Sequence, residues 1–205
     1  MKFHLIALAA ASVMTAGVAH AQSAAPSFSE GAVVRLKCGM GTGSAVILGG
    51  DTILTANHVV SGDTCSMWPA GARGEAFEIV TQDPAADLVV ARVADAERPS
   101  LSVSCDGLVT GERYWLVGYA NKMERTISIP VVATDRVVNA RMPSGVARGL
   151  RMVEAAGGGR GRVGMSGGAV LDAQGRMVAF NSAVGTDWGS ETYVKELKGT
   201  PVCPA

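Results

Sequence analysis

Three side chains in this sequence have the types and order needed for nucleophilic acyl chemistry. Ser166 stands in Gly164-Met165-Ser166-Gly167-Gly168, directly before the apolar run Ala169-Val170-Leu171. His58 follows Thr52-Ile53-Leu54-Thr55 and precedes Val59-Val60, so it lies at the end of a strand-like run. Asp87 opens the buried run Leu88-Val89-Val90. A serine hydroxyl is a weak nucleophile at neutral pH and needs a neighbouring base. Histidine takes the proton and later returns it to the leaving group, while a shielded carboxylate fixes the imidazole tautomer. Asp83 is the rival acid, but Asp83-Pro84 is a turn-initiation pair, which favours Asp87. The backbone N–H groups of Gly164 and Ser166 are the candidate oxyanion donors.

The chain order decides between two hydrolase architectures. Gly164 to Gly168 also matches the G-x-S-x-G elbow of α/β-hydrolases, in which the histidine follows the serine. Of the three histidines, at 4, 20 and 58, none follows Ser166. The order His58, Asp87, Ser166 excludes the elbow reading. The scarcity of long amphipathic helical patterns excludes an α/β sheet.

The elements that must carry these residues are short and β-type. Ala32–Leu36, Gly43–Leu48, Thr52–Leu54, Phe77–Thr81, Leu88–Val93, Tyr114–Gly118, Thr126–Ala133, Leu150–Glu154, Ala169–Leu171, Met177–Phe180 and Thr192–Val194 read as strands. Gly49-Gly50-Asp51 and Gln174-Gly175 read as hairpin turns, Ala94 to Pro99 as a linker, and Ala155 to Arg162 as a glycine-rich loop at the mouth of the site. Val194 to Lys198 leaves room for a turn or two of helix. The fold class is therefore all-β, a sandwich or barrel.

The N-terminus has the features of an export signal. Lys2 precedes the apolar run Leu5–Val18, and Ala19-His20-Ala21 fits a cleavage site. The reading is a signal peptide over 1–21, a mature chain from Gln22, and a secreted or periplasmic protein. The run is short for a bilayer-spanning anchor. The mature chain would keep His58 as its single histidine. All four cysteines, Cys38, Cys65, Cys105 and Cys203, follow the signal, and an even number in an exported chain indicates two disulfides. Three pairings are open; Cys38–Cys65, which bracket His58, with Cys105–Cys203 is favoured. No C-x-x-C pair accompanies them, which argues against zinc. No metal or other cofactor is indicated. Formal net charge is zero and no basic run stands out, so neither nucleic acid nor a membrane surface is an expected partner, and a monomer is the simplest reading.

Taken together, the motifs resemble those of the trypsin/chymotrypsin-type serine proteases, in particular the bacterial branch of HtrA-type proteases and glutamyl endopeptidases. Gly41 to Leu48 resembles that branch's first hairpin, Thr55 to Val60 its histidine motif, Asp83 to Val90 its acid motif and Gly164 to Gly168 its serine motif. The resemblance implies two six-stranded antiparallel β-barrels with the site in the cleft between them. The first, residues 22–100, would carry His58 and Asp87; the second, 101–205, Ser166. It implies a serine endopeptidase acting through an acyl-enzyme on extended peptide or unfolded protein, with Asn181 to Gly185 as the substrate-pairing rail and Ser182, Ala183 and Val184 as its binding residues. The alternative is an inactive peptide-binding module on the same fold. Arg160 falls near the position where trypsin-like enzymes carry an aspartate, so a Lys or Arg preference is not implied. Arg160 or Arg162 would pair with an acidic substrate side chain or else point into solvent. Met165 occupies the place of the aspartate that pancreatic-type enzymes use to bind a newly cut N-terminus.

Overall fold

The computed structural model describes residues 24–60, 64–69, 74–94, 97–121, 123–184 and 191–204; residues 1–21, read above as a signal peptide, lie outside them. Twelve strands form two units of six. The first contains β1 (Val33–Cys38), β2 (Gly41–Gly49), β3 (Thr52–Ala56), β4 (Cys65–Trp68), β5 (Glu78–Asp83) and β6 (Leu88–Arg92), in the spatial order β4-β1-β2-β3-β6-β5. The second contains β7 (Arg113–Tyr119), β8 (Thr126–Met142), β9 (Gly145–Ala155), β10 (Ala169–Leu171), β11 (Met177–Val184) and β12 (Glu191–Glu196), closed as β10-β11-β12-β9-β8-β7. All the pairings are antiparallel. The all-β class and the six-plus-six arrangement are as expected, with one refinement. The first sheet is a half-barrel whose edges, β4 and β5, form no ladder with one another.

Three apolar clusters explain why the strands read as continuous apolar runs. Leu36, Ile47, Ile53, Met67 and Val89 fill the concave side of the first sheet. Leu116, Val131, Val153, Met165, Val170 and Val194 fill the second barrel. Between the units, Val46, Leu54 and Leu88 of the first pack with Trp115, Leu171 and Phe180 of the second. Strands β2, β3 and β6 are thus buried on both faces, which removes the polar alternation of a half-exposed strand.

The segment between the units runs from the first sheet to the second barrel. Val93 N–H donates to Asp51 O and Leu101 N–H to Ile47 O, while Met177 O accepts the Ser104 N–H and Met177 N–H donates to Ser102 O. The hairpin β8–β9 is far longer than the sequence suggests. Its outer part pairs Val138 with Leu150 and Met142 with Gly145. Its side chains there are mostly exposed or half-buried, so it lacks the apolar alternation that marks a strand. Beyond Val194, where the sequence leaves room for a turn or two of helix at most, β12 continues to Glu196.

Both disulfides form. Cys38–Cys65 ties adjacent strands β1 and β4, and Cys105–Cys203 ties the inter-unit segment to the C-terminal tail.

Candidate active site

His58 sits in α1 (Asn57–Val60), a single turn that begins where β3 ends. Asp87 ends the β5–β6 turn and is fully buried. Its φ of 53° is left-handed, a conformation that aspartate tolerates better than most residues, and it is the only non-glycine at positive φ among the described residues. This backbone turns the Asp87 carbonyl to accept the Asn57 N–H at 2.9 Å. The carboxylate meanwhile accepts the His58 backbone N–H at Oδ1 (2.9 Å) and faces His58 Nδ1, 3.1 Å from Oδ1 and 2.9 Å from Oδ2. The Ser182 hydroxyl donates to Oδ2. The imidazole is thereby held through Nδ1, with Nε2 left for the cleft. Asp83 plays the other role weighed for it: its Oδ1 accepts the N–H groups of Ala85 and Ala86, closing the turn.

Ser166 reaches the same cleft from the second barrel. A cavity of about 370 Å³ is lined by Cys38, Gly41, Thr42, His58 and Val59 of the first unit and by Val163, Gly164, Ser166, Ala183 and Val184 of the second. The serine loop is anchored on all sides. Ser44 N–H donates to Ser166 O (2.7 Å), Gly167 N–H to Asn181 O (2.7 Å) and Gly168 N–H to Met165 O (2.9 Å). Gly167 has φ +83°, and a Cβ there would overlap Ser44 O and Thr55 Oγ1. No side chain fits where the loop presses on β2 and β3.

The candidate oxyanion donors are set by a turn. Met165 N–H donates to Arg162 O at 3.0 Å, and Gly164 has φ +96° while Val163 is not at positive φ. That combination is a type II turn. Val163 O accepts the Asn121 N–H at 2.7 Å. Because the peptide is trans, the Gly164 N–H points away from Asn121. Neither the Gly164 nor the Ser166 N–H donates to another described backbone group, so both are free for a ligand oxygen. Met165 is fully buried in the second barrel's core. It anchors the loop by packing, in the place where the resemblance calls for a charged partner.

Comparison with known proteins agrees with this geometry. The model of the trypsin-like peptidase domain matches residues 41–180, more than half of the chain and all three candidate catalytic residues. The chain belongs to the trypsin-like peptidase family. No curated protein sequence matches it. Among solved structures it is similar to the Rv3671c protease from M. tuberculosis in its active form (18% identity, TM-score 0.70, covering 82% of this chain and 76% of that one). It is also similar to the MamO protease domain from Magnetospirillum magneticum (19%, TM-score 0.67, 82% and 93%). The HtrA-type protease AlgW with tripeptide gives 23% identity and a TM-score of 0.68 over 82% of this chain and 57% of that one. At such identities these structures show the shared fold.

As a trypsin-like peptidase, the protein is a serine endopeptidase. A Cβ on Gly161 would lie 2.6 Å from Thr192 Oγ1 and 2.7 Å from Val184 Cγ1, so the loop and the rail nearly touch. Arg160 and Arg162 are both exposed, as in the solvent-facing reading. Ser182 has a further role that its place in the rail did not reveal, since its hydroxyl is committed to Asp87. Sequence reasoning also missed Asn57, a buried residue whose Oδ1 accepts the Gln82 amide at 2.6 Å. Its signal was a polar residue among apolar neighbours immediately before the histidine. Gly185, the last residue of the proposed rail, lies outside the described residues. Burial pushes the Tyr119 phenol upward, offset in part by Arg35, whose guanidinium lies 5.2 Å over the ring.

Proposed function

We propose that this protein is an exported serine endopeptidase that hydrolyses peptide bonds through Ser166, His58 and Asp87. The observation that carries the reading is His58 held through Nδ1 by a buried carboxylate while it shares one cavity with Ser166 and Gly164. In the acylation step Ser166 Oγ attacks the scissile carbonyl carbon and its proton passes to His58 Nε2. Asp87 supports the imidazolium. The carbonyl oxygen gains the negative charge and is met by the N–H groups of Gly164 and Ser166. Collapse expels the amine, which takes the proton from His58, and leaves an ester on Ser166. Water then attacks that ester with His58 as base, which releases the acid and restores the serine.

The substrate is an extended segment of peptide or unfolded protein pairing with Ala183 and Val184. The close packing of Gly161 against Val184 and Thr192 leaves little room there, which favours a short side chain before the scissile bond. Export rests on the N-terminal 1–21 segment. The test is labelling of Ser166 by a fluorophosphonate together with hydrolysis of casein by protein beginning at Gln22. No labelling and no hydrolysis by folded, disulfide-bonded protein would refute the catalytic assignment. Recovery of the exported form with Met1 intact would refute cleavage of the signal.

A further inference from the structure

Ser44 is fully buried on β2, in the unit that carries His58; its carbonyl accepts the Thr55 hydroxyl of that unit at 2.7 Å, while its N–H and its own hydroxyl bond to the unit that carries Ser166. Its N–H donates to Ser166 O at 2.7 Å. Its Oγ accepts the Tyr119 N–H at 2.9 Å and donates to Gly164 O at 2.9 Å. The proton direction is fixed, because Tyr119 N–H has only its own proton to give and Gly164 O can only accept. The two carbonyls flanking the Gly164 residue are therefore both held, Val163 O by Asn121 and Gly164 O by Ser44.

We propose that Ser44 is a positioning residue that holds the oxyanion turn in its donating form and sets the register between the histidine half and the serine half of the site. This rests on the catalytic reading above. Glycine has wide backbone freedom, so a turn built on Gly164 has no intrinsic preference strong enough to keep its N–H aimed at the substrate oxygen. Asn121 fixes the peptide before Gly164; the peptide after it is held at its N–H by Arg162 O and at its carbonyl by the Ser44 hydroxyl, so without that hydroxyl its carbonyl end is unheld. Loss of that hydroxyl also leaves two buried groups, Gly164 O and Tyr119 N–H, without their partner. The turn then relieves the cost by rotating, which takes an oxyanion donor away from the site. The hydroxyl touches no reacting atom; it acts through Gly164.

The experiment compares wild type with Ser44→Ala and Ser44→Gly in the exported protein, and with Val46→Ala as a control that weakens the same strand from the inter-unit core. Removing one oxyanion donor typically costs about a hundredfold or more in kcat, so a turn that spends most of its time rotated gives a loss of roughly ten- to a hundredfold. The expected result is that loss in kcat for both Ser44 variants with KM little changed. A parallel loss of affinity is expected for a peptide aldehyde, whose tetrahedral adduct places an oxygen between Gly164 and Ser166. Val46→Ala lowers the melting temperature and leaves kcat near wild type below its transition. Unchanged kcat in folded Ser44→Ala, or an equal loss in Val46→Ala, would overturn the proposal. So would failure of both Ser44 variants to fold, which would assign the residue to stability. A wild type that neither labels with fluorophosphonate nor hydrolyses peptide removes the catalytic reading, and this proposal with it. An active wild type with insensitive Ser44 variants removes this proposal alone.

Discussion

Replacing Asp87 by asparagine separates the chemistry of the acid from its structural role. Asparagine has the same shape and tolerates the left-handed backbone that Asp87 adopts at φ 53°. One carboxylate oxygen becomes an NH₂ group, and the hydrogen-bond pattern decides which. Oδ1 accepts the His58 backbone N–H at 2.9 Å, a donor that cannot be reversed, so the amide oxygen must stay there. The NH₂ then takes the place of Oδ2, 2.9 Å from His58 Nδ1 and against Ser182 Oγ. The serine hydroxyl can turn to accept, and Nδ1 can accept only if it carries no proton. Its proton is thereby driven to Nε2, the nitrogen that must accept from Ser166. An imidazole in the wrong tautomer costs about 10⁴ in kcat, roughly 5 kcal/mol of transition-state stabilisation. Stability should not fall in step, because a buried charge is replaced by a neutral isostere. The assay is kcat on a fluorogenic peptide together with thermal unfolding, and Asp83→Asn is the comparison. That variant keeps the turn acceptor and should lie within a few-fold of wild type. Folded Asp87→Asn that retains more than a tenth of wild-type kcat would refute the assignment of the acid and the tautomer argument.

Other outcomes follow from the same geometry. Ser166→Ala should lose all fluorophosphonate labelling and about 10⁶-fold in kcat while unfolding at nearly the same temperature, measured by circular dichroism. Val184→Gly opens the slot that Val184 narrows against Gly161, so kcat/KM for a phenylalanine before the scissile bond should rise at least about tenfold relative to alanine. An unchanged ratio in a substrate panel would place the specificity slot elsewhere. Replacing Cys105 and Cys203 together by alanine frees a loop spanning 98 positions, worth up to about 4.7 kcal/mol in the chain-entropy model, which urea unfolding would read directly.

Sequence order alone went far here because the chemistry restricts the choice. One histidine beyond residue 21, lying upstream of a glycine-flanked serine, excludes one hydrolase architecture and leaves another. Short apolar runs broken by glycine, aspartate and proline give an all-β chain because buried strands need little else. The half-barrel's open edge, the long β8–β9 hairpin and the full extent of β12 were not legible. Those features depend on which strand finds which partner, and exposed strand segments carry no apolar period to announce them. The site divides in the same way. His58, Asp87, Ser166 and Gly164 are visible as residue types in an order, since acid, base, nucleophile and a flexible donor each need a particular side chain or none. Ser44, Asn121, Ser182 and Met165 act through hydrogen bonds and packing to residues distant along the chain, from Asp87 to Ser182 across the cleft or from Ser44 to Gly164 between the two units. A serine that orients an acid and one that clamps an oxyanion turn are alike in sequence. Only the tertiary fold, by bringing β2 and β11 against the histidine and serine loops, decides which is which.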